Sequence, residues 1–441
     1  MKYWQLLEIS EYIKEFSEIR TIFRIDYQTL QIEFDKGEKI RFNMRRGESF
    51  IYKSSDEVRS EKIFSPFDTQ LSSRFQKSKI DKIEILNGDK ILKISVSISN
   101  KYKKLESSLQ LEFTGKHTNI ILLDSENRVL EALHHISEFK SVRPVKVGEF
   151  LGIPPKPNFE FKTGEKLENV EDFLKSEWRN YISKKLEKSK KREILKVEKK
   201  IDKLKKSFEV VRNSEIFFEK ADRFSENAQI LLANLYSLPK YGDFETYDFS
   251  GNLRKIERPK EARDNNHMIQ IFFDKSKKFR KKGENSEIER TNLIEKIDFL
   301  ERMTKNIRNS SSLSELDILS NRGKDRREKR QKNELYEVFW IEGYKILLGK
   351  SERGNEALLK DAKSRDIWLH MKDIPSAHTL IVTDKQSIPE NVIFEAGKLC
   401  LKFSVKESGK YLIDYTKRRN VRIQSGANVL YTDYKTIEVE I

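Results

Sequence analysis

Residues 184–211 read KKLEKSKKREILKVEKKIDKLKKSFEVV, and the reading of this stretch decides the fold. Its apolar residues Ile194, Val197, Ile201, Leu204, Phe208 and Val211 recur at alternating spacings of three and four, the seam of a coiled coil. A single helix cannot bury such a seam, so a partner is required. Leu293, Ile297, Leu300 and Ile307, with Thr304 on the same face, form a second seam far downstream. An antiparallel hairpin of helices lets the two cover each other within one monomeric chain; a parallel homodimer is the competing arrangement. Between them the pattern predicts a helix over 221–237 and an irregular stretch from Pro239 to Pro259. The lysine-rich run 275–282 is then expected at the tip or base of the hairpin.

The quoted stretch is also conspicuously basic. Over the 441 residues the net charge is +16, and it is unevenly placed. Residues 1–170 carry 29 bases against 26 acids, 171–332 carry 41 against 29, and 333–441 carry 17 against 16. Within the middle, Lys184–Lys206 holds 12 bases and 4 acids, Lys275–Lys282 six bases and no acid, and Arg322–Lys332 seven bases and two acids. Such runs either coat a solvated helix face or meet a polyanion. Nucleic acid is favoured over anionic membrane, because these runs lack the broad aromatic or leucine face of an interfacial helix. Lys190, Lys191, Arg192, Lys275, Lys277, Lys278, Arg280, Lys281 and Lys282 are the candidate contacts here. One cysteine, Cys400, excludes an intramolecular disulfide framework. No apolar run approaches the roughly 20 residues that span a bilayer, and the opening MKYWQLLEISEYIKEF is too acidic for a signal peptide. A cytoplasmic protein with no membrane partner is expected.

On either side of the basic middle, the patterning is α+β. Residues 3–19 have helical spacing, and 60–78 fit a second helix. Leu30–Phe34 and Lys39–Met44 alternate around a polar turn. Ile83–Leu86 and Ile91–Val96 alternate around Asn87-Gly88, a strong hairpin signal because both residues tolerate positive φ. Leu109–Phe113, Ile120–Leu123 and Arg128–Leu133 add strands, and Pro144, Pro154, Pro155 and Pro157 mark the exit. Beyond a loop or linker at Asn309–Ser312 and Arg322–Lys332, a small α/β domain begins. Its expected strands are Glu337–Trp340 and Tyr344–Gly349 over Glu342-Gly343, Asp366–Leu369, His378–Val382, Tyr411–Asp414, Val421–Ile423, Ala427–Tyr431 and Thr436–Val439, with a helix at Val392–Phe403. Three parts follow: residues 1–155, a helical arm over 165–325, and 333–441.

Signs of catalysis are sparse. Gly349-Lys350-Ser351 lacks the upstream glycine of a phosphate loop and reads as a strand end and turn. His134-His135 would face opposite sides of a strand, and His370 and His378 around Asp373 match no metal-ligand spacing. Asp366 with Asp373 reads as turn and capping carboxylates, and Cys400 as core. No enzyme, cofactor or metal is expected. Rows of Lys and Arg neutralise phosphates without reading sequence. Trp368, His370 and Lys372, and Lys417, Arg418 and Arg419, place rings or cations where unpaired bases and phosphates could meet them.

The stretch from Asp366 to His378, DIWLHMKDIPSAH, resembles the hallmark D-x-W-L-H-x-K-D-x-P-G-S-H of the NFACT family's C-terminal RNA-binding domain. Leu348–Ser351, Asp414–Lys417 and Ser425–Ala427 are similar to neighbouring family motifs. Gly115–Leu122, GKHTNIIL, is similar to the family's G-R-H-S-N-I-I-L, and Leu232–Tyr236 resembles a helix of its coiled coil. The family contains ribosome-associated quality-control factors and bacterial proteins once labelled fibronectin-binding. The resemblance implies binding to large ribosomal subunits (rRNA) obstructed by peptidyl-tRNA, recruitment of charged tRNA, alanyl-tRNA in bacteria, and extension of stalled chains by alanine tails without mRNA. It places the family's tRNA-contacting Asp-Arg pair on Asp89-Lys90 and a second contact on Glu112. It also implies a shortened form, since the family's helix-hairpin-helix domain has no counterpart before the coiled coil. A general RNA chaperone on the same scaffold, or a fibronectin-binding adhesin, are the alternative functions.

Overall fold

The computed structural model describes residues 1–55, 63–100, 103–154, 156, 157, 161, 164–320 and 335–441. They form two compact units, Met1–Lys185 and Leu186–Ile441.

The first unit opens with α1 (Tyr3–Ile13) and four strands, β1 (Glu18–Asp26), β2 (Thr29–Phe34), β3 (Lys39–Asn43) and β4 (Phe50–Tyr52). After α2 (Pro66–Phe75) come β5 (Ser78–Ile85), β6 (Ile91–Asn100), β7 (Lys103–Glu112), β8 (Asn119–Asp124) and β9 (Val129–Ala132). They build one antiparallel sheet, ordered β4-β3-β2-β1-β5-β6-β7-β8-β9. The β5–β6 turn has φ of 51° at Asn87 and 64° at Gly88, as its sequence predicts. Alternate strand residues, among them Leu30, Ile32, Leu92, Ile94, Leu109 and Leu111, share one core with α1 and α2. The sheet curls around that core so far that the turn after β3 meets the turn after β7, Gly47 N donating to Gly115 O at 3.1 Å.

The helix expected over 3–19 stops at Ile13, and Glu18–Asp26 is a strand. Register shifts at Ile19/Thr21 and Arg24/Asp26 explain why β1 lacks a clean alternation. The helix expected over 60–78 is the shorter α2, started by Ser65, whose hydroxyl accepts from Asp68 N, with Pro66 next. No helix occurs among the described residues between Leu133 and Asn169. The unit runs past the expected boundary at 155 because the opening turns of α3 (Val170–Val210) belong to it. Leu174 lies in the core, and Trp178 and Tyr181 pack on Tyr52 and Phe50.

In the second unit the rest of α3 leads to a break at 211–213, where Asn213 caps α4 (Ser214–Ala233). The chain turns in a two-stranded ribbon, β10 (Phe244–Tyr247) with β11 (Leu253–Ile256), and returns as α5 (Asn265–Asn309). The order of contacts is antiparallel. Phe224 packs on Phe272, Arg290 donates to Val211 O at 2.9 Å, and Lys205 pairs with Glu301 at 3.0 Å. The seams thus cover each other within one chain: Val197 and Ile201 share a core with Phe299, Met303 and Ile307. At Gly283 a Cβ would lie 2.6 Å from the Phe218 ring, so glycine permits the close approach of α4 and α5. The helix predicted over 221–237 is α4, and the stretch Pro239–Pro259 contains the ribbon. Lys275–Lys282 lies along the shaft of α5 rather than at the hairpin's tip or base.

Between the arm and the last domain is α6 (Leu313–Leu319), capped by Ser312 and lying between the two stretches expected to be loop or linker. The basic run Arg322–Lys332 lies outside the described residues. The domain contains β12 (Tyr336–Ile341), β13 (Tyr344–Gly349), α7 (Glu352–Asp361), β14 (Ile367–Met371), β15 (Thr379–Val382), α8 (Glu390–Ser404), β16 (Lys410–Lys417), β17 (Val421–Ser425), β18 (Asn428–Tyr431) and β19 (Lys435–Glu440). Six strands form an antiparallel sheet ordered β12-β13-β15-β14-β16-β19. Helix α8 covers one face; α7 and the β17–β18 ribbon cover the other. Helix α7, not expected from sequence, begins where Ser351 Oγ accepts from Gly354 N at 3.3 Å.

Candidate nucleic-acid interface

Cations contribute to polyanion binding only where they are exposed and not already neutralised. On α5, Lys275 pairs with Glu261 at 3.5 Å and Arg280 with Asp222 at 2.6 Å, while Lys282 lies over the Phe279 ring. Lys277, Lys278 and Lys281 are exposed and make no ion pair among the described residues. Their three- and four-residue spacings put them on one outward stripe. On α3, Lys190 is mostly covered and bound to Glu187, Arg192 contacts Glu193 at 3.4 Å, and Lys191 is exposed.

The stretch Asp366–His378 is built for a different purpose. Trp368 is 0% exposed, packed among Leu358, Leu359, Leu380 and Val421, so it cannot stack on a base. Its ring stacks on His370, 5.6 Å between centroids, and meets Tyr431 at 4.8 Å. Asp366 Oδ2 accepts from Lys363 N at 2.8 Å and Oδ1 from Thr383 N at 3.1 Å, a turn carboxylate. His370 is bonded to Met371 O through Nδ1, and burial lowers its pKa. Burial, with His370 beside it, pushes His378 down to about 3. Ser376 Oγ accepts from Met371 N, and Asp373 takes φ of 58° to close the β14–β15 loop. Asp414 is bonded by Tyr431 and Thr436, at 2.8 and 2.6 Å, and the Tyr431 pKa is raised by burial and by that carboxylate. Cys400 is buried, donates to Ala377 O, and burial raises its pKa.

Arg418 is also structural: Nε donates to Leu359 O and Nη1 to Val421 O. Lys417 and Arg419 on either side are exposed, and Lys372 is half-buried. The fold adds two cations that the sequence reading did not single out. Arg418 N donates to Asp366 O and Arg419 N to Ser364 O, which brings exposed Lys363 and Arg365 beside Lys417 and Arg419. No local charge run marks this rim, because its halves come from the turn before β14 and the end of β16.

In the first unit, Glu112 is 4% exposed and held by Arg143 Nη1 at 2.9 Å and Gln110 Nε2 at 2.6 Å. Its carboxylate is occupied, which argues against the expected RNA contact. Asp89 Oδ1 accepts from Lys90 N at 2.6 Å, and Lys90 Nζ lies 6.0 Å from the Phe161 ring centroid.

Residues 14–182 match the family described as NFACT N-terminal and middle domains, and residues 335–432 match the NFACT protein RNA binding domain. Together the matches take in more than half of the chain, on either side of the helical arm. The chain belongs to the NFACT family. It is 30% identical to the Rqc2 homolog RqcH of Bacillus subtilis over 259 residues, 53% of this chain and 42% of that relative's length. To RqcH of Streptococcus suis it is 25% identical over 498 residues, covering 86% of this chain and 85% of the relative. The N-terminal part of the fibronectin/fibrinogen-binding protein from Streptococcus suis has a TM-score of 0.33 and 23% identity, over 36% of this chain and 62% of that one. In this NFACT chain the hallmark stretch of the RNA-binding domain forms core and loop, and the solvent-facing cations lie on its rim. No helix among the described residues is long and apolar enough to cross a membrane, and no cluster among them of three or more His, Cys, Asp or Glu could hold a metal.

Proposed function

We propose that this NFACT chain is an RNA-binding factor of ribosome quality control. It acts in the cytoplasm by binding rather than catalysis. It engages large ribosomal subunits obstructed by peptidyl-tRNA, together with tRNA, and supports mRNA-independent alanine tailing of the stalled chain. The observation that carries the reading is the exposed stripe Lys277, Lys278 and Lys281, without ion pairs among the described residues, on a helical arm flanked by matches to both NFACT domains. Its relatives named RqcH support the same reading. Binding through such lysines is electrostatic, so it weakens steeply as salt rises.

Sedimentation with purified large subunits tests the proposal: wild type travels with them at low ionic strength, and Lys277→Glu/Lys278→Glu/Lys281→Glu is released. A wild-type chain that stays behind overturns it. In a reconstituted reaction with obstructed subunits and alanyl-tRNA, alanine incorporation supports tailing. Binding without incorporation reduces the role to RNA binding alone.

A further inference from the structure

The motif GKHTNIIL at 115–122 divides into residues that build the fold and residues that do not. Gly115 has φ of 71°, a conformation other residues adopt at a cost. Thr118, 0% exposed, closes the turn by donating from Oγ1 to Gly115 O at 2.8 Å. Asn119, also 0% exposed, clamps the chain after β9: Nδ2 donates to His134 O at 2.8 Å and Oδ1 accepts from His134 N at 2.9 Å. Lys116 and His117 are exposed and make no hydrogen bond or ion pair among the described residues.

The curl of the sheet brings a second cationic turn to the same place. The Gly47–Gly115 bond joins the turn that carries Arg45 and Arg46 to the turn that carries Lys116. Arg45 is partly engaged, by Gln28 at 3.1 Å and Glu48 at 3.8 Å. Arg46 is exposed and makes no ion pair among the described residues, and its charge adds to the burial that lowers the pKa of His134. The nearby acids are already used: Glu131 bonds His135, and Glu112 is held by Arg143. What remains is the Arg46 guanidinium, the Lys116 ammonium and the His117 imidazole, on turns fixed by buried side chains and backbone bonds. A guanidinium and an ammonium that make no ion pair among the described residues suit phosphate oxygens, the first as a planar fork and the second as a point charge.

We infer that Arg46, Lys116 and His117 form a phosphate clasp for the sugar-phosphate backbone of an RNA, an interface separate from the arm and from the C-terminal rim. The inference rests on the RNA-binding function proposed above. It is tested in the full-length chain with Arg46→Glu/Lys116→Glu, using bulk tRNA in a filter-binding titration across a salt series and purified large subunits in sedimentation. Lys14→Glu/Lys79→Glu, at exposed sites of the same unit, matches the change in net charge. Affinity for at least one RNA is expected to drop tenfold or more, and the slope of log affinity against log salt to flatten by about 1.4, two phosphate contacts' worth. Arg46→Gln/Lys116→Gln is expected to lose affinity in the same RNA by a smaller factor, a check independent of charge reversal. If wild type binds and the clasp variants match it, or fall only as far as the control, the clasp is wrong while the function stands. If wild type binds neither RNA, both fall together.

Discussion

Along α5, Lys277, Lys278 and Lys281 are exposed and without ion pairs among the described residues, whereas from Asp366 to His378 the indole, one imidazole and one carboxylate are buried. Both regions draw attention in the sequence, one for repetition and the other for unusual chemistry. Repeated lysine is costly to bury, so it marks surface. A Trp-Leu-His strand with a flanking aspartate is the composition of a core that must also close a tight loop. The conspicuous pattern therefore maintains the domain, and the monotonous one is left free to meet a ligand.

The largest test of that contrast is Trp368→Ala, expected to cost about 3–5 kcal/mol, since an indole in full contact leaves a cavity. Denaturant unfolding of the isolated variant protein should show it, and a cost below about 1 kcal/mol would mean that the indole is not core. Next is acidity. The His378 imidazole stays neutral in the fold down to about 3, against an ordinary value of 6.5. The contribution is complete above pH 6.5 and is lost as pH falls, by about 1.4 kcal/mol per pH unit below it. Stability measured from pH 7 to 4.5 should carry this slope, and His378→Gln should flatten it, whatever its effect at pH 7. Smaller again is Gly283→Ala, about 1–3 kcal/mol from forcing the Phe218 ring aside. Loss of arm helicity on heating reads it, and an unchanged melting curve would show that α4 can shift to make room. The smallest stability effect belongs to Lys277→Glu/Lys278→Glu/Lys281→Glu: within about 0.5 kcal/mol per residue, yet with the salt slope of RNA binding reduced by about 2. A variant that unfolds but binds normally would invert the whole comparison.

Much of the architecture was legible because its signals are local. Asn87-Gly88 and Glu342-Gly343 adopt the positive φ that their hairpins require. The three-four spacing from Ile194 led to the seam, and its partner lay at Leu293–Ile307 because both helices needed cover. β1 escaped because its bulges break the alternation, and α7 because only the hydroxyl of Ser351 announces it. For the interface, the runs on α3 and α5 were readable, but which lysines remain free depends on acids of other elements, such as Glu261 and Asp222. Lys363 joins Arg419, and Arg46 joins Lys116, through strand pairing and sheet curvature that no local pattern encodes.

The base of α5 is tied to the end of α8. Arg302 Nη1 donates to Phe403 O at 2.6 Å, Asn306 Nδ2 to Lys402 O at 2.9 Å, and Lys305 Nζ to Lys406 O at 3.0 Å. The first two bonds satisfy carbonyls that α8 otherwise leaves open at its terminus, and the third holds the chain just beyond it. A helix of 45 residues, rising about 1.5 Å per residue, is about 70 Å long. Welded at its foot in this way, it behaves as a stiff boom: a small pivot of the C-terminal domain sweeps the far ribbon through a wide arc, and a hold on the ribbon fixes the bearing of the domain.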